Sequence, residues 1–173
     1  MTFVTLASMS RSLRSLAAAM RAGLGVLVGL VALVGLVGVG APAAIAQEVH
    51  MVSMTGEGLG DADLLKGITI AVVWATWSPR SRDIVERVQP LAGRWSSRAR
   101  FVTVDFEEER PVVAAFLASR SMAAPVFLDA DGAFSKKYAI ATLPGLLVLK
   151  DGKVVYHGKL PDDPDKLIAD ALR

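Results

Sequence analysis

Apolar and polar positions after residue 60 alternate in a way that predicts strands and helices in turn. Residues 68–74 form a nearly continuous apolar, β-branched run, which is typical of a strand buried on both faces of an α/β sheet. Ser78 and Pro79 then predict a helix start, with Ser78 as the N-cap and Pro79 in the first turn. The apolar positions that follow share one helical face: Ile84, Val85, Val88, Leu91, Ala92 and Trp95.

The middle of the chain predicts two more strands with a helix between them. The apolar runs at 100–105 and 124–128 are short and bounded by polar residues, as expected for buried strands. Between them, residues 110–119 have a helical pattern that opens with Pro111. We expect this helix to bury four apolar side chains: Val112, Val113, Phe116 and Leu117.

The last part of the chain predicts a β-hairpin followed by a helix. Asp151-Gly152 separates two apolar runs and is a strong signal for a two-residue hairpin turn. A final helix begins after Pro161 and directs Leu167, Ile168 and Leu172 inward. The order of elements therefore predicts an α/β fold, with a mixed central sheet covered by helices on both faces.

The first 46 residues differ from the rest and predict an export signal. Arginines precede an apolar run at 22–40, and an A-x-A sequence at 44–46 follows it. Cleavage is the favoured interpretation, and an uncleaved membrane anchor at 22–40 is the alternative. Because the basic residues precede the run, either form places the domain outside the cytoplasm, in the periplasm or an equivalent extracytoplasmic space.

Two segments follow this signal or anchor. Residues 47–60 are polar and contain glycines, and we interpret them as a lead-in that is either a tether or an irregular strand. Residues 61–173 form the predicted folded domain. If the N-terminus stays uncleaved, residues 22–40 are its only expected membrane contact.

The charge balance argues against a nucleic-acid partner. The chain has 19 basic and 17 acidic residues, and the first 46 residues hold three of the basic ones and none of the acidic ones. Residues 47–173 therefore carry 16 basic and 17 acidic residues and are close to neutral. No cluster of lysines and arginines with interleaved aromatic residues is present to bind phosphates.

The sequence W-A-T-W-S-P-R-S at 74–81 resembles the active-site entry of thioredoxins, W-A-T-W-C-x-x-C, with serine at both cysteine positions. Two further segments extend the resemblance: A-P-V-F-L-D-A-D-G at 124–132, and T-L-P at 142–144 before the predicted hairpin. In this order, over about residues 61–172, the motifs resemble the TlpA/ResA-like branch of the thioredoxin superfamily. The resemblance implies a thioredoxin-like fold.

The substituted cysteines imply a redox-inactive protein. Thiol-disulfide exchange needs a thiolate nucleophile and a resolving thiol, and the chain contains no cysteine. Residues Trp77, Ser78, Pro79, Arg80 and Ser81 therefore form a degenerate active site. The N–H groups of a helix starting here, with Arg80 and Arg82 nearby, can bind a carboxylate or a peptide carbonyl. The alternative is that Ser78 is only a cap and Arg80 is solvated.

The resemblance also implies a partner-binding surface at Leu143, Pro144 and Gly145. In the family this proline is cis, and the backbone before it pairs with an extended substrate segment, which needs no cysteine. Leu143 would then accept a protein or extended peptide by strand addition. Gly145 is a departure, because many relatives have threonine there. We expect Trp77 to line this groove, and Trp74 to lie in the core.

Metal binding and hydrolysis have weaker support in the sequence. His50, Met51 and Met54, near the expected mature N-terminus, are soft ligands of the kind that suit copper(I). Three such residues in a segment expected to be flexible, without a cysteine, more often have no metal function. The two histidines, His50 and His157, have no context that places either beside Ser78 or Ser81 as a catalytic base. We therefore expect no enzyme activity and no cofactor.

These predictions leave three candidate functions. The first is a redox-inactive exported module that holds a protein or peptide partner at the Ser78 and Pro144 surface, in a chaperone or assembly role. The second is a redox-silent accessory factor in cytochrome c maturation or envelope thiol-disulfide metabolism. The third is copper delivery through the methionines and histidine of the lead-in.

Overall fold

The computed structural model describes residues 48–173. The predicted signal or anchor at 1–46, including its apolar run at 22–40, lies outside the described residues. Within residues 48–173 no helix is both long enough and apolar enough to cross a membrane.

Seven strands form one mixed sheet in the order β2-β1-β5-β4-β3-β6-β7. The strands β3, β4 and β5 run parallel, and β6 and β7 are antiparallel to their neighbours. Their bounds are β1 His50–Ser53, β2 Gly58–Gly60, β3 Ile68–Trp74, β4 Arg100–Phe106, β5 Val126–Asp129, β6 Gly145–Lys150 and β7 Lys153–Lys159. The predicted mixed sheet is confirmed.

The central strand β3 coincides with the predicted run at 68–74. Every residue from Thr69 to Trp74 is buried, because β4 and β6 flank the strand and helices cover both of its faces. The hairpin between β6 and β7 also has the predicted turn, in which Asp151 and Gly152 both adopt positive φ.

Helices cover both faces of the sheet. They are α1 Asp61–Leu64, α2 Ile84–Trp95, α3 Arg110–Leu117, α4 Ala133–Lys137 and α5 Pro164–Ala171. The face under α2, α3 and α5 holds a core built on Trp74, with Phe116 of α3 packed against it at 5.1 Å between ring centroids. The other face holds a second core that includes Leu64 of α1 and Phe134 of α4.

One of the burial predictions for α3 is wrong. Val113 is fully buried and Phe116 and Leu117 pack against the core, but the Val112 side chain is 46% exposed. The helix is short and contacts the sheet along a narrow stripe, so Val112 faces solvent one position away from Val113.

The predicted lead-in at 47–60 contains two strands of the sheet. β1 pairs with β2 and also with β5, both antiparallel. Arg110 of α3 fixes the end of β1, because its guanidinium donates to the carbonyls of Ser53 and Met54 at 2.9 and 2.8 Å. Residues 50–53 and 58–60 of this segment are therefore strands of the same sheet as the strands after residue 61.

Candidate functional site

Three chain segments converge at one end of the central strands of the sheet. The parallel strands β3 and β4 end there, and the antiparallel strand β6 begins there, with Val73 paired to Gly145 and Trp74 paired to Asp105. The segment after β3 therefore meets the loop before β6. The degenerate active site and the proline loop both lie at this end of the strands.

The helix start at Ser78 is not as predicted. Pro79–Ser81 form a single 3-10 turn with the Ser81 N–H donating to the Ser78 carbonyl at 2.9 Å, and the α-helix begins only at Ile84. The Ser78 side chain makes no capping hydrogen bond. The chain turns once before entering α2, so the N-terminus of α2 lies beyond Ser81 and does not present its N–H groups at Ser78.

The two serines are not solvent-exposed helix caps. Ser78 and Ser81 are both buried, and the Ser81 hydroxyl has no hydrogen-bond partner within residues 48–173. His50 lies on β1 and His157 on the edge strand β7. Neither histidine is among the residues that line the groove beside Ser78.

The proline loop has the backbone that the resemblance implied. The peptide bond between Leu143 and Pro144 is cis. The backbone N–H and carbonyl of Leu143 have no hydrogen-bond partner within residues 48–173. Leu143 is only half-buried, so a second chain can reach these groups. Unpaired backbone of this kind can hydrogen-bond to an extended segment of a second chain.

An apolar groove lies between the degenerate active site and this loop, with a volume of about 540 Å³. The indole of Trp77 is 61% exposed at its rim. The lining residues are Trp77, Ser78, Pro79, Arg80, Phe106, Ile140, Ala141, Thr142 and Leu143. The structure thus brings four of the five degenerate active-site residues together with Leu143, while Ser81, Pro144 and Gly145 are buried and do not line the groove.

A carboxylate holds the chain just before Trp77. Glu108, which follows β4, accepts hydrogen bonds from both the backbone N–H and the hydroxyl of Thr76, each at 2.5 Å. Such charge-assisted bonds are stronger than neutral ones. They fix the residue next to Trp77 and therefore limit how the Trp77 loop can move.

A second carboxyl group lies buried beside this network. Asp105 at the end of β4 is fully inaccessible, and neither of its oxygens receives a hydrogen bond from residues 48–173. Burial raises its pKa to about 8, and the neighbouring carboxylates of Glu108 and Asp129 add to the increase. Asp105 is therefore mostly protonated at neutral pH and can donate to an acceptor such as Glu108.

The copper-ligand candidates are not assembled into a site. Met51 is buried in the core under α1 and α4, whereas Met54 packs against the core on the opposite face of the sheet. His50 is exposed on β1. Within residues 48–173 no group of three or more His, Asp or Glu side chains is arranged to hold a metal ion.

The solved structures most useful for comparison are thioredoxin-like. StoA from Bacillus subtilis matches with a TM-score of 0.59 and 23% identity, over 75% of this chain and 99% of that one. A putative thiol:disulfide interchange protein DsbE from Chlorobium tepidum matches with a TM-score of 0.62 and 21% identity, over 74% and 95% of the two chains. The fold is thioredoxin-like.

A third similar structure is the exposed lipoprotein thioredoxin of Streptococcus pneumoniae, with a TM-score of 0.63 and 15% identity over 73% of this chain and 98% of that one. No protein-family model matches the sequence, and a search of curated proteins found no match. At these identities the comparisons establish the thioredoxin-like fold and not the chemistry of the groove.

Sequence reasoning missed part of the groove and both carboxyl groups beneath it. Phe106 and Ile140 line the groove, but they lie in other segments and no local pattern connects them to Trp77. The sequence did contain one indication of Asp105 and Glu108. Acidic residues near the carboxyl end of a buried strand lie close to the residues at the carboxyl end of its parallel neighbour.

Proposed function

We propose that this protein is an exported, redox-inactive thioredoxin-like module that holds an extended segment of a partner protein in the groove between Trp77 and Leu143. Its role is that of a chaperone or assembly factor. The proposal includes membership of the TlpA/ResA-like branch and a location outside the cytoplasm. The similar structure described as an exposed lipoprotein supports that location.

One observation carries the proposal: unpaired backbone at Leu143 borders an apolar groove with an exposed tryptophan. Backbone pairing supplies affinity for any extended chain, and the groove selects the side chain that points into it. Exposed aromatic residues of this kind are enriched among the side chains that dominate binding energy. None of these contributions requires a thiol.

A narrower form of the proposal is a redox-silent accessory role in envelope thiol-disulfide metabolism or cytochrome c maturation. The likeness to a DsbE protein described as a thiol:disulfide interchange protein supports it. In that form the partner segment would come from a protein handled by an active thiol-disulfide enzyme, and this chain would hold it without exchanging disulfides. Copper delivery is not proposed, because its candidate ligands lie on different faces of the sheet.

Binding to a peptide array tests the proposed function. The array presents blocked nine-residue peptides rich in threonine, with the central residue varied over all amino-acid types. We expect the purified domain to prefer peptides with large apolar centres, and we expect Trp77→Ala to weaken that binding at least tenfold, as for a binding hot spot. Affinities of the retained peptides are measured by fluorescence anisotropy.

Leu65→Ala is the matched control for this substitution. Leu65 is 63% exposed, which is close to the exposure of Trp77, but it packs near the Asp151-Gly152 turn and not in the groove. We expect it to leave peptide binding unchanged. Equal losses in the two variants, or no preference of the unmodified domain for any central residue, would contradict the proposal.

A further inference from the structure

A second recess lies beside the apolar groove and shares Pro79 and Arg80 with it. Its volume is about 420 Å³. The groove is lined by Leu143 and this recess by Pro144, so the two recesses flank the same cis peptide bond. An extended segment that pairs with Leu143 would therefore have both recesses within reach of its side chains.

The second recess carries an excess of positive charge. Four basic side chains line it, Arg80, Arg82, Arg87 and Lys159, against the two carboxylates of Asp83 and Asp162. This local surplus contrasts with the slight acidic excess of residues 47–173 as a whole. The charge is thus concentrated beside the groove.

Three of these four basic side chains are unpaired within residues 48–173. Arg87 donates to the carbonyls of Leu160 and Pro161 at 3.2 and 3.1 Å. Arg80, Arg82 and Lys159 have no ion pair or side-chain hydrogen bond, and the two nearby carboxylates do not pair with them. Their donors remain available to a ligand.

We propose that the partner segment is acidic: an apolar side chain occupies the groove, and an Asp or Glu side chain on the same extended segment pairs with Arg80, Arg82 and Lys159 in the second recess. This inference rests on the proposed function and adds the class of segment that is bound. Guanidinium groups form charge-assisted, often bidentate hydrogen bonds with carboxylates. Alternate residues of an extended chain point to the same side, so one segment can present both groups.

Matched peptides test the acidic requirement. All are blocked at both ends and nine residues long, with Leu at the centre and threonine or glycine elsewhere. One has Asp two positions to each side of Leu, a second has Asn there and a third has Lys. Placing the residues symmetrically covers both directions of the bound strand. We expect about fivefold tighter binding of the Asp peptide than of the Asn peptide, in line with exposed ion pairs, and we expect salt to reduce the difference.

Two double variants distinguish an effect of the recess on peptide affinity from an effect of the protein's net charge. Arg82→Gln with Lys159→Gln should move the ratio of Asp-peptide to Asn-peptide affinity most of the way to one, with Arg80 left as the remaining partner. Lys66→Gln with Lys166→Gln removes the same charge from exposed positions elsewhere and should preserve the ratio. A ratio that falls equally in both variants would assign the effect to net charge and overturn the inference.

The remaining outcomes distinguish this inference from the proposed function. Equal binding of the Asp and Asn peptides to the unmodified domain would overturn the acidic requirement and leave the groove as a peptide site. No binding of any peptide would overturn both. An Asn peptide with a free C-terminus that binds as tightly as the blocked Asp peptide would assign the recess to a terminal carboxylate, which contradicts the side-chain pairing proposed here.

Discussion

Asp105→Asn is expected to make the protein more stable at neutral and alkaline pH, and the gain should grow as the pH rises from about 4 to about 8. Asp105 is buried without a hydrogen-bond donor, and its pKa is raised from 3.8 to about 8. Between these pH values the folded chain keeps a proton that the unfolded chain has released. The free energy of unfolding therefore falls with rising pH, by about 1.4 kcal/mol per pH unit from this group.

The Asp105→Asn variant has no proton to lose at this position. Its amide can donate to Glu108, as the protonated carboxyl group of Asp105 can. We therefore expect the stability curves of the two proteins to converge below about pH 4 and to separate by several kcal/mol by about pH 8. Urea unfolding at a series of pH values measures the difference.

Asp162→Asn is the control for this experiment. Asp162 is exposed and has no hydrogen bond or ion pair within residues 48–173, so replacing it should not reproduce the stability difference expected for Asp105→Asn. If Asp105→Asn and the unmodified protein lose stability in parallel between about pH 5 and pH 8, Asp105 is not the protonated buried group described here.

Gly145→Thr, which restores the residue that the family resemblance implies after the cis proline, is expected to destabilise the protein by about 3 kcal/mol. A Cβ atom at Gly145 would lie 2.7 Å from the Ile140 methyl group Cγ2 and 2.9 Å from the Thr142 carbonyl oxygen. The first contact can relax by a side-chain shift, whereas the second is with backbone at the cis-proline loop. Gly145→Ala should already destabilise by about 1–2 kcal/mol.

A rescue variant and a control make the cause of this effect clear. Adding Ile140→Ala to Gly145→Ala removes the methyl contact but not the carbonyl contact, so we expect partial recovery. Gly93→Ala lies inside α2 with nothing within 4 Å of the new Cβ, and it should stabilise the protein by about 0.5–1 kcal/mol. Thermal unfolding compares the variants. A neutral Gly145→Ala would show that the loop before β6 can open at little cost.

The local elements could be predicted from the sequence because each depends on a short pattern. The run at 68–74 is apolar enough to require burial on both faces, and it became β3 with the predicted bounds. Asp151-Gly152 encodes its own turn conformation. The starts of helices were harder to predict from the sequence. Ser78 starts a 3-10 turn, and α2 begins six residues later at Ile84.

Features that depend on distant pairing could not be predicted in this way. Nothing in residues 50–53 shows that this strand pairs with β5, because its partner lies more than 70 residues further along the chain. The short helix α4 was also missed. Its first turn is held by Asp129, whose two oxygens accept the N–H groups of Phe134 and Ser135 at 2.9 Å, so this carboxylate orders a helix rather than only a turn.

The groove itself was predicted only in outline. The motif at 74–81 and the proline at 144 indicated which segments meet, but the resemblance supplied that link and not the local patterns. Only the structure shows which side chains line the groove. Ile140 is one of them, and it lies within contact distance of any side chain at position 145. A threonine at position 145 would collide with Ile140 in its present position. The glycine at 145 and the position of Ile140 therefore depend on each other.

Site-specific photo-crosslinking in the cell tests the central claim, that the groove is the partner-binding surface. A photoreactive residue replaces Thr142 or Arg80, which are exposed and line the groove, or Lys166, which is exposed on α5. We predict the same discrete protein adduct from Thr142 and Arg80 and none from Lys166. An adduct from Lys166 alone, or none from either groove position, would contradict the account.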